Sequence, residues 1–142
     1  MDEAAARRAF DDALAGYEQG FGTFFLARLL GLELSYPDDT CVVTFEPADF
    51  LFNPQGTLHG GVIATVLDIA MGHLLHRASG PGSTLEMKTQ YLKAVRSGRL
   101  TCTGRFLRRG REISYLAAEM VDASGDPVAF ATATWRALKP AR

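Results

Sequence analysis

FNPQGTLHGGVIATVLDIAMG, residues 52–72, passes from loop chemistry to helix chemistry, and its reading places the rest of the chain. Up to Gly61 it is a connection, with Pro54, Gly56 and Gly60 interspersed with the polar residues Asn53, Gln55, Thr57 and His59. From Gly61 it turns to Val, Ile, Ala, Leu and Met, and that character runs on to Ala78. One helix is predicted over residues 61–78. It is apolar nearly all round, so it must be buried on most sides. Gly80, Pro81 and Gly82 end it.

Working outward, the flanking segments read as β-structure. Residues 32–36 and 40–46 form two strands joined by a turn at Pro37, Asp38 and Asp39, a hairpin stiffened by Val42 and Val43. Residues 47–61 make a long connection kept in order by Phe50, Leu51 and Phe52. After the helix come strands at 84–91, 99–107, 112–122 and 127–138. Arg108, Arg109, Gly110 and Arg111 form a hairpin turn in which Gly110 is available for a positive φ, and Ser124, Gly125 and Asp126 form a second. In 84–91, Leu85, Met87, Thr89 and Tyr91 share one face, with Thr84, Glu86, Lys88 and Gln90 on the other. In the last strand Ala129, Ala131, Ala133 and Trp135 alternate with Val128, Phe130, Thr132 and Thr134, and the alanine face would let a helix lie close. Before all this, residues 2–15 suggest a short amphipathic helix carrying Phe10 and Leu14, and residues 24–30 a further helical turn or strand lead-in. The expectation is an α+β fold, one antiparallel sheet wrapped around one long central helix.

Bulk properties bound the function. The 142 residues, 47% hydrophobic and 22% charged, suit one domain over 1–142, with an N-terminal helical segment at 1–30 and a core at 31–138. Net charge is −1, which argues against a general nucleic-acid binder. MDEAAARRAF lacks the apolar core of a secretory signal, and the run from Val62 to Leu75 is too short for a membrane span and contains Asp68, so a cytoplasmic protein is expected. Cys41 and Cys102, with no CxxC and no His/Cys cluster, read as buried reduced thiols rather than zinc ligands.

Chemistry concentrates at the loop–helix junction. The first N–H groups of a helix lack internal partners and carry partial positive charge. Gly60 and Gly61 would let a ligand come close to them, making an anion site or an oxyanion hole. A glycine pair alone would be a tight turn, and His59 or Asn53 alone a structural loop residue; their convergence is the signal. Asp68 is sharper. A carboxylate among Val66, Leu67, Ile69 and Ala70 has a desolvation cost and reads as a base or nucleophile, or else as an aspartate satisfied by a local partner or set on a small wet face. Gly61 and Asp68 lie on nearly one helix face but about 10 Å apart along the axis. One carbonyl cannot touch both, so a shared site needs a second subunit. The stripe Gly61, Thr65, Asp68 and Gly72 is small enough to let two such helices pack antiparallel in a two-fold dimer.

Asn53-x-x-Gly56-x-x-His59-Gly60-Gly61, with Asp68 nine positions after the histidine, resembles the phenylacetate-pathway (PaaI-like) branch of hotdog-fold thioesterases in the 4-hydroxybenzoyl-CoA thioesterase superfamily. The resemblance covers roughly residues 30–138. It implies hydrolysis of an acyl-CoA by homodimers that often pair into tetramers. By position, Gly60 would donate its N–H to the thioester carbonyl, and Asn53 and His59 would surround the thioester. Asp68 from the partner would be base or nucleophile, and Thr84 would match a water-holding hydroxyl, although its strand parity sets it with Glu86 and Lys88. A related branch carries a threonine where this chain has Gly72.

No metal or nicotinamide is implied, and coenzyme A enters as part of the substrate. Its phosphates would call on cations, with Arg108, Arg109 and Arg111 as candidates beside Lys93 and Arg96, although each arginine taken singly reads more readily as a solvated hairpin charge. Phe50, Phe52, Leu75 and Tyr91 could line an acyl pocket or be core. His73 and His76 read as partly exposed helix residues and Trp135 as core. Two other readings compete: an acyl-thioester dehydratase or hydratase, whose His/Asp or His/Glu patterns are not found, and a non-catalytic acyl-CoA sensor, against which Asp68 stands intact.

Overall fold

A computed structural model describes residues 1–138; residues 139–142 of the expected 1–142 unit lie outside the described residues. The chain runs α1 (Glu3–Gly16), α2 (Phe25–Leu29), β1 (Glu33–Ser35), β2 (Thr40–Phe45), a 3-10 turn at Asp49–Leu51, α3 (Gly60–Ser79), β3 (Gly82–Tyr91), β4 (Leu100–Arg108), β5 (Ile113–Val121) and β6 (Pro127–Ala137). All strands pair antiparallel in one sheet of order β1-β2-β4-β5-β6-β3. The expected sheet-on-helix architecture is therefore present, with each predicted strand in place.

Local chemistry explains the breaks. Asp38 takes a positive φ of 51° in the β1–β2 turn, a conformation aspartate tolerates, and Thr40 closes the turn onto the Pro37 carbonyl. Gly80 at φ 83° ends α3. Asp2 caps α1 by accepting from the Ala5 N–H at 2.9 Å.

The helix α3 is the middle of the core. Val66, Leu67, Ala70, Met71, Leu74 and Leu75 are buried against Val43, Phe45, Leu100, Leu116 and Met120 of the sheet. The layers touch at backbone distance. A Cβ on Gly104 of β4 would lie 2.8 Å from the Ala70 carbonyl oxygen, so only glycine fits beneath the helix there. Ala129, Ala131 and Ala133 of β6 are buried as expected of the small-residue face, with Trp135 beside them. Cys41 and Cys102 are free, fully buried thiols on the paired strands β2 and β4, and burial pushes the Cys41 thiol up to about 12.

Four expectations are corrected. Gly110 does not use a positive φ; it is glycine because a Cβ there would overlap the Ile113 carbonyl. His73 is buried rather than partly exposed, packed by Phe21 and Phe24, while His76 is partly exposed as expected. Gly72 is not free for a second helix, because the Trp135 ring occupies its place, 2.7 Å from where a Cβ would stand. The parity assigned to Thr84 fails because β3 carries a bulge between Thr84 and Glu86. Thr84 pairs with Trp135 and Glu86 with Thr134, so Thr84 lies on the helix side while Glu86 faces outward and accepts from the Thr134 hydroxyl.

Candidate active site

The loop before α3 is built by Asn53. Its side-chain oxygen accepts from the N–H groups of Gln55 and Thr57, and its Nδ2 donates to the Thr57 hydroxyl at 2.9 Å. An antiparallel bridge between Phe52 and Leu58 closes the excursion. Asn53 thus spends its amide on the loop that delivers His59.

His59 is the N-cap. Its Nδ1 accepts from the Gly61 N–H at 2.9 Å, a role usually taken by Ser, Thr, Asp or Asn, so in the neutral ring the proton sits on Nε2. The His59 carbonyl accepts from Val62 and Ile63 and therefore points into the helix. Because a trans peptide is planar with N–H opposite C=O, the Gly60 N–H points the other way, out of the helix end. Among the described residues it has no acceptor. Of the two candidate donors, then, Gly61 is engaged and Gly60 is open. Tyr91, at the end of β3, donates its hydroxyl to the Gly60 carbonyl at 3.1 Å. A shallow cavity of about 290 Å³ opens here, bounded by Gly60, Ile63, Tyr91, Leu92 and Lys93.

Asp68 occupies the middle of the same helix, half-buried. Thr84 donates its hydroxyl to Asp68 Oδ1 at 2.8 Å, a contact the β3 bulge makes possible. Desolvation by burial raises the Asp68 pKa above its ordinary 3.8, and the Thr84 bond opposes the shift. The carboxylate looks into a second cavity of about 410 Å³, whose walls are Phe21, Phe24, Ile69, Gly72, His73 and Trp135. His73 holds its Nδ1 against the Ile69 carbonyl at 3.0 Å; that oxygen can only accept, so Nδ1 carries the proton. Burial lowers the His73 pKa, which favours the neutral ring.

Sequence reading missed these walls. Phe50, Phe52 and Leu75 line neither cavity: Leu75 is fully buried core, and Phe52 packs against the core. Tyr91 lines the other cavity, by Gly60. Beside Ile69, His73 and Trp135, the aromatic wall of the Asp68 chamber comes instead from Phe21 and Phe24 of the run FGTFF, residues 21–25, which signalled its importance only by composition. Phe21 stacks on His76, ring centroids 3.5 Å apart, which anchors this segment to α3.

The basic hairpin sits at the opposite end of α3. Arg109 donates to the Ala78 carbonyl and to the Ser79 hydroxyl, neutralising the carbonyl-rich helix terminus. Arg108 and Arg111 are exposed. One chain therefore brings Asp68 to Thr84 and His59 to Gly60 and Gly61, but it does not bring these two groups together. No described helix is long and apolar enough to cross a membrane.

The family model described as thioesterase superfamily matches residues 55–129, over half of the chain and spanning both groups. The medium/long-chain acyl-CoA thioesterase YigI of Escherichia coli is 30% identical over 128 residues, covering 76% of this chain and 82% of its own. A Streptococcus mutans protein solved with acetyl-CoA bound is 26% identical, with a TM-score of 0.73 over 78% of this chain and 91% of that one. A Bacillus halodurans protein solved with CoA, 24% identical, shares the fold with a TM-score of 0.88 over 99% of this chain and 95% of that one. Sheet wrapped on helix, the matched region and the curated relative agree: this chain is a hotdog-fold member of the thioesterase superfamily.

Proposed function

We propose that the chain hydrolyses acyl-CoA thioesters to the free acid and CoA, in sites shared between two copies of itself. The observation that carries the reading is the separation of the two half-sites. Gly60 and Asp68 are eight residues apart on one helix, about 12 Å along the axis, and they open into different cavities. Two α3 helices side by side and antiparallel would bring Gly60 of one chain to Asp68 of the other, twice.

Two features support such a pair. β3 is a ten-residue edge strand with an open ladder, which a second β3 could complete across a two-fold axis. The Thr84–Asp68 bond ties that edge to the helix face bearing Gly61 and Thr65, so pairing the edges brings the helices alongside. Pairing of dimers into tetramers belongs to the same proposal.

In the reaction, the thioester oxygen accepts from Gly60 N–H as it gains negative charge. Thr84 holds Oδ1 of Asp68, leaving Oδ2 to take a proton from water. The hydroxide oxygen bonds to the carbonyl carbon, the C–S bond breaks, and the proton passes to the CoA sulfur. Asn53 and His59 shape the approach to the carbonyl. These groups do the work without a metal or organic cofactor. In the antiparallel pair the far end of the partner's helix would reach about 16 Å beyond the carbonyl, so Arg108 and Arg111 there would meet the CoA phosphates. The apolar chamber walled by Phe21, Phe24 and Trp135 would take a medium-to-long or aryl acyl group. Two reduced thiols and a CoA substrate fit a cytoplasmic setting.

The test is thiol release by the purified protein from phenylacetyl-, hydroxybenzoyl- and short- to long-chain acyl-CoA. Turnover of at least one is expected. Acyl-CoA binding without turnover would replace the enzyme by a sensor.

A further inference from the structure

We infer that Tyr91 is a positioning residue for the oxyanion donor, holding the Gly60–Gly61 peptide from outside while His59 holds it from within. The inference rests on the thioesterase reading of this site.

One peptide unit carries both contacts. Its carbonyl oxygen, on Gly60, accepts from the Tyr91 hydroxyl at 3.1 Å. Its N–H, on Gly61, donates to His59 Nδ1 at 2.9 Å. These groups lie on opposite edges of a planar unit, so two side chains resist its rotation about the chain. The unit shares the Cα of Gly60 with the preceding peptide, whose N–H is the open donor. The Val62 and Ile63 bonds to the His59 carbonyl hold that preceding peptide. Glycine at the shared Cα is the least restrained residue the chain can offer, so Tyr91 and His59 add restraint on the other side of the hinge.

The Tyr91 ring supplies a second restraint. A Cβ on Gly60 would stand 3.3 Å from Cε1 and 3.4 Å from Cζ of Tyr91, so the ring lies directly over the glycine. Gly60 thus has two reasons to lack a side chain: the approach of a ligand and the seat of this ring. Tyr91 is 54% exposed, so its ring is held by these contacts rather than by burial in the core. It sits 31 residues from Gly60 in sequence, at the last position of β3, so the sheet edge fixes the helix end. Preorganised donors help because they need not reorient when charge develops. Removing one of two anchors therefore affects the rate more than substrate binding.

The experiment compares Tyr91→Phe with wild type on a thioester that wild type hydrolyses. The ring stays and the hydroxyl leaves. A fall in kcat of about tenfold, with KM within about twofold and an unchanged thermal midpoint, is expected. An unchanged kcat overturns the inference, as does a loss that merely tracks a lowered thermal midpoint. The ¹H–¹⁵N amide resonances of Gly60 and Gly61 provide an arm independent of turnover. They should move in Tyr91→Phe relative to wild type without any ligand; an unmoved pair overturns the inference whatever the chain hydrolyses. Absence of turnover by wild type, with the resonances shifting, would sink the thioesterase reading and leave the Tyr91 anchor standing.

Discussion

The two half-sites of α3 are made of different materials. In the site as proposed, chemistry at the N-terminus comes from the backbone: one N–H, on Gly60, aimed by its peptide plane beside a Gly61 N–H that His59 holds. At mid-helix it comes from a side chain, Asp68, whose basicity is raised by burial and trimmed by Thr84. A backbone donor needs no tuning, only orientation, so its supports are hydrogen bonds and turns. A carboxylate needs tuning, so its supports are apolar walls and one hydroxyl. Substitution should therefore damage the first end through geometry and the second through charge.

The strongest way to break the carboxylate end is Asp68→Asn, which keeps shape and removes charge. We expect kcat to fall by roughly 10²–10⁴ with little change in KM, read by CoA release; equal rates would remove Asp68 from the chemistry. The donor end breaks with Gly60→Pro. Proline is tolerated at the first helical position, and His59 already has the extended geometry that must precede it, φ −62° and ψ 131°. The proline Cβ would stand 3.3 Å from the Tyr91 ring, however, so the reference is Gly60→Ala, which carries the same Cβ and keeps the N–H. Loss of the N–H should cost about 10²–10³ in kcat. Refolding equal amounts of the two dead variants together then asks whether the ends belong to different chains. Half of random dimers would be mixed, each with one intact site of two, so about a quarter of wild-type activity should return. No recovery, with mixed dimers verified by mass, would place the whole site in one chain.

Smaller effects sharpen the contrast in tuning. The acid limb of kcat/KM should lie above the ordinary aspartate value of 3.8, and Thr84→Val should move it higher, since the lost bond favoured the carboxylate. The same shift has a stability sign. With its folded pKa raised, Asp68 contributes stability present below the ordinary carboxylate value and lost as pH rises through the folded one. Above the folded pKa the ionised group is a burden, so Asp68→Asn should raise the thermal midpoint there, and the gap should close as pH falls below 3.8. A gap unchanged by acid would assign the gain to packing.

What the sequence disclosed follows the same division. Strands were legible because alternation is a local property, and the junction was legible because His59, Gly60, Gly61 and Asp68 differ in type from their surroundings. Thr84 was misplaced because a bulge is a relation between two strands, written in neither. His73 was misjudged because the aromatic segment that covers it lies some fifty residues earlier in the chain. Tyr91 reads in sequence as pocket wall or core and not as an anchor, since its hydroxyl's partner is set by where β3 stops.

The helix α3 is tethered at both ends, by Tyr91 and His59 at its start and by Arg109 at its finish. In an antiparallel pair this bears on mechanical tolerance. A slip of each helix along its own axis would displace the facing groups by twice that amount, because the two move in opposite directions. Both sites would lose alignment together. The moorings at the rim of the sheet would thus act as stops against a doubled error, and loosening Arg109 at one end could blunt catalysis at the other without touching any reacting atom.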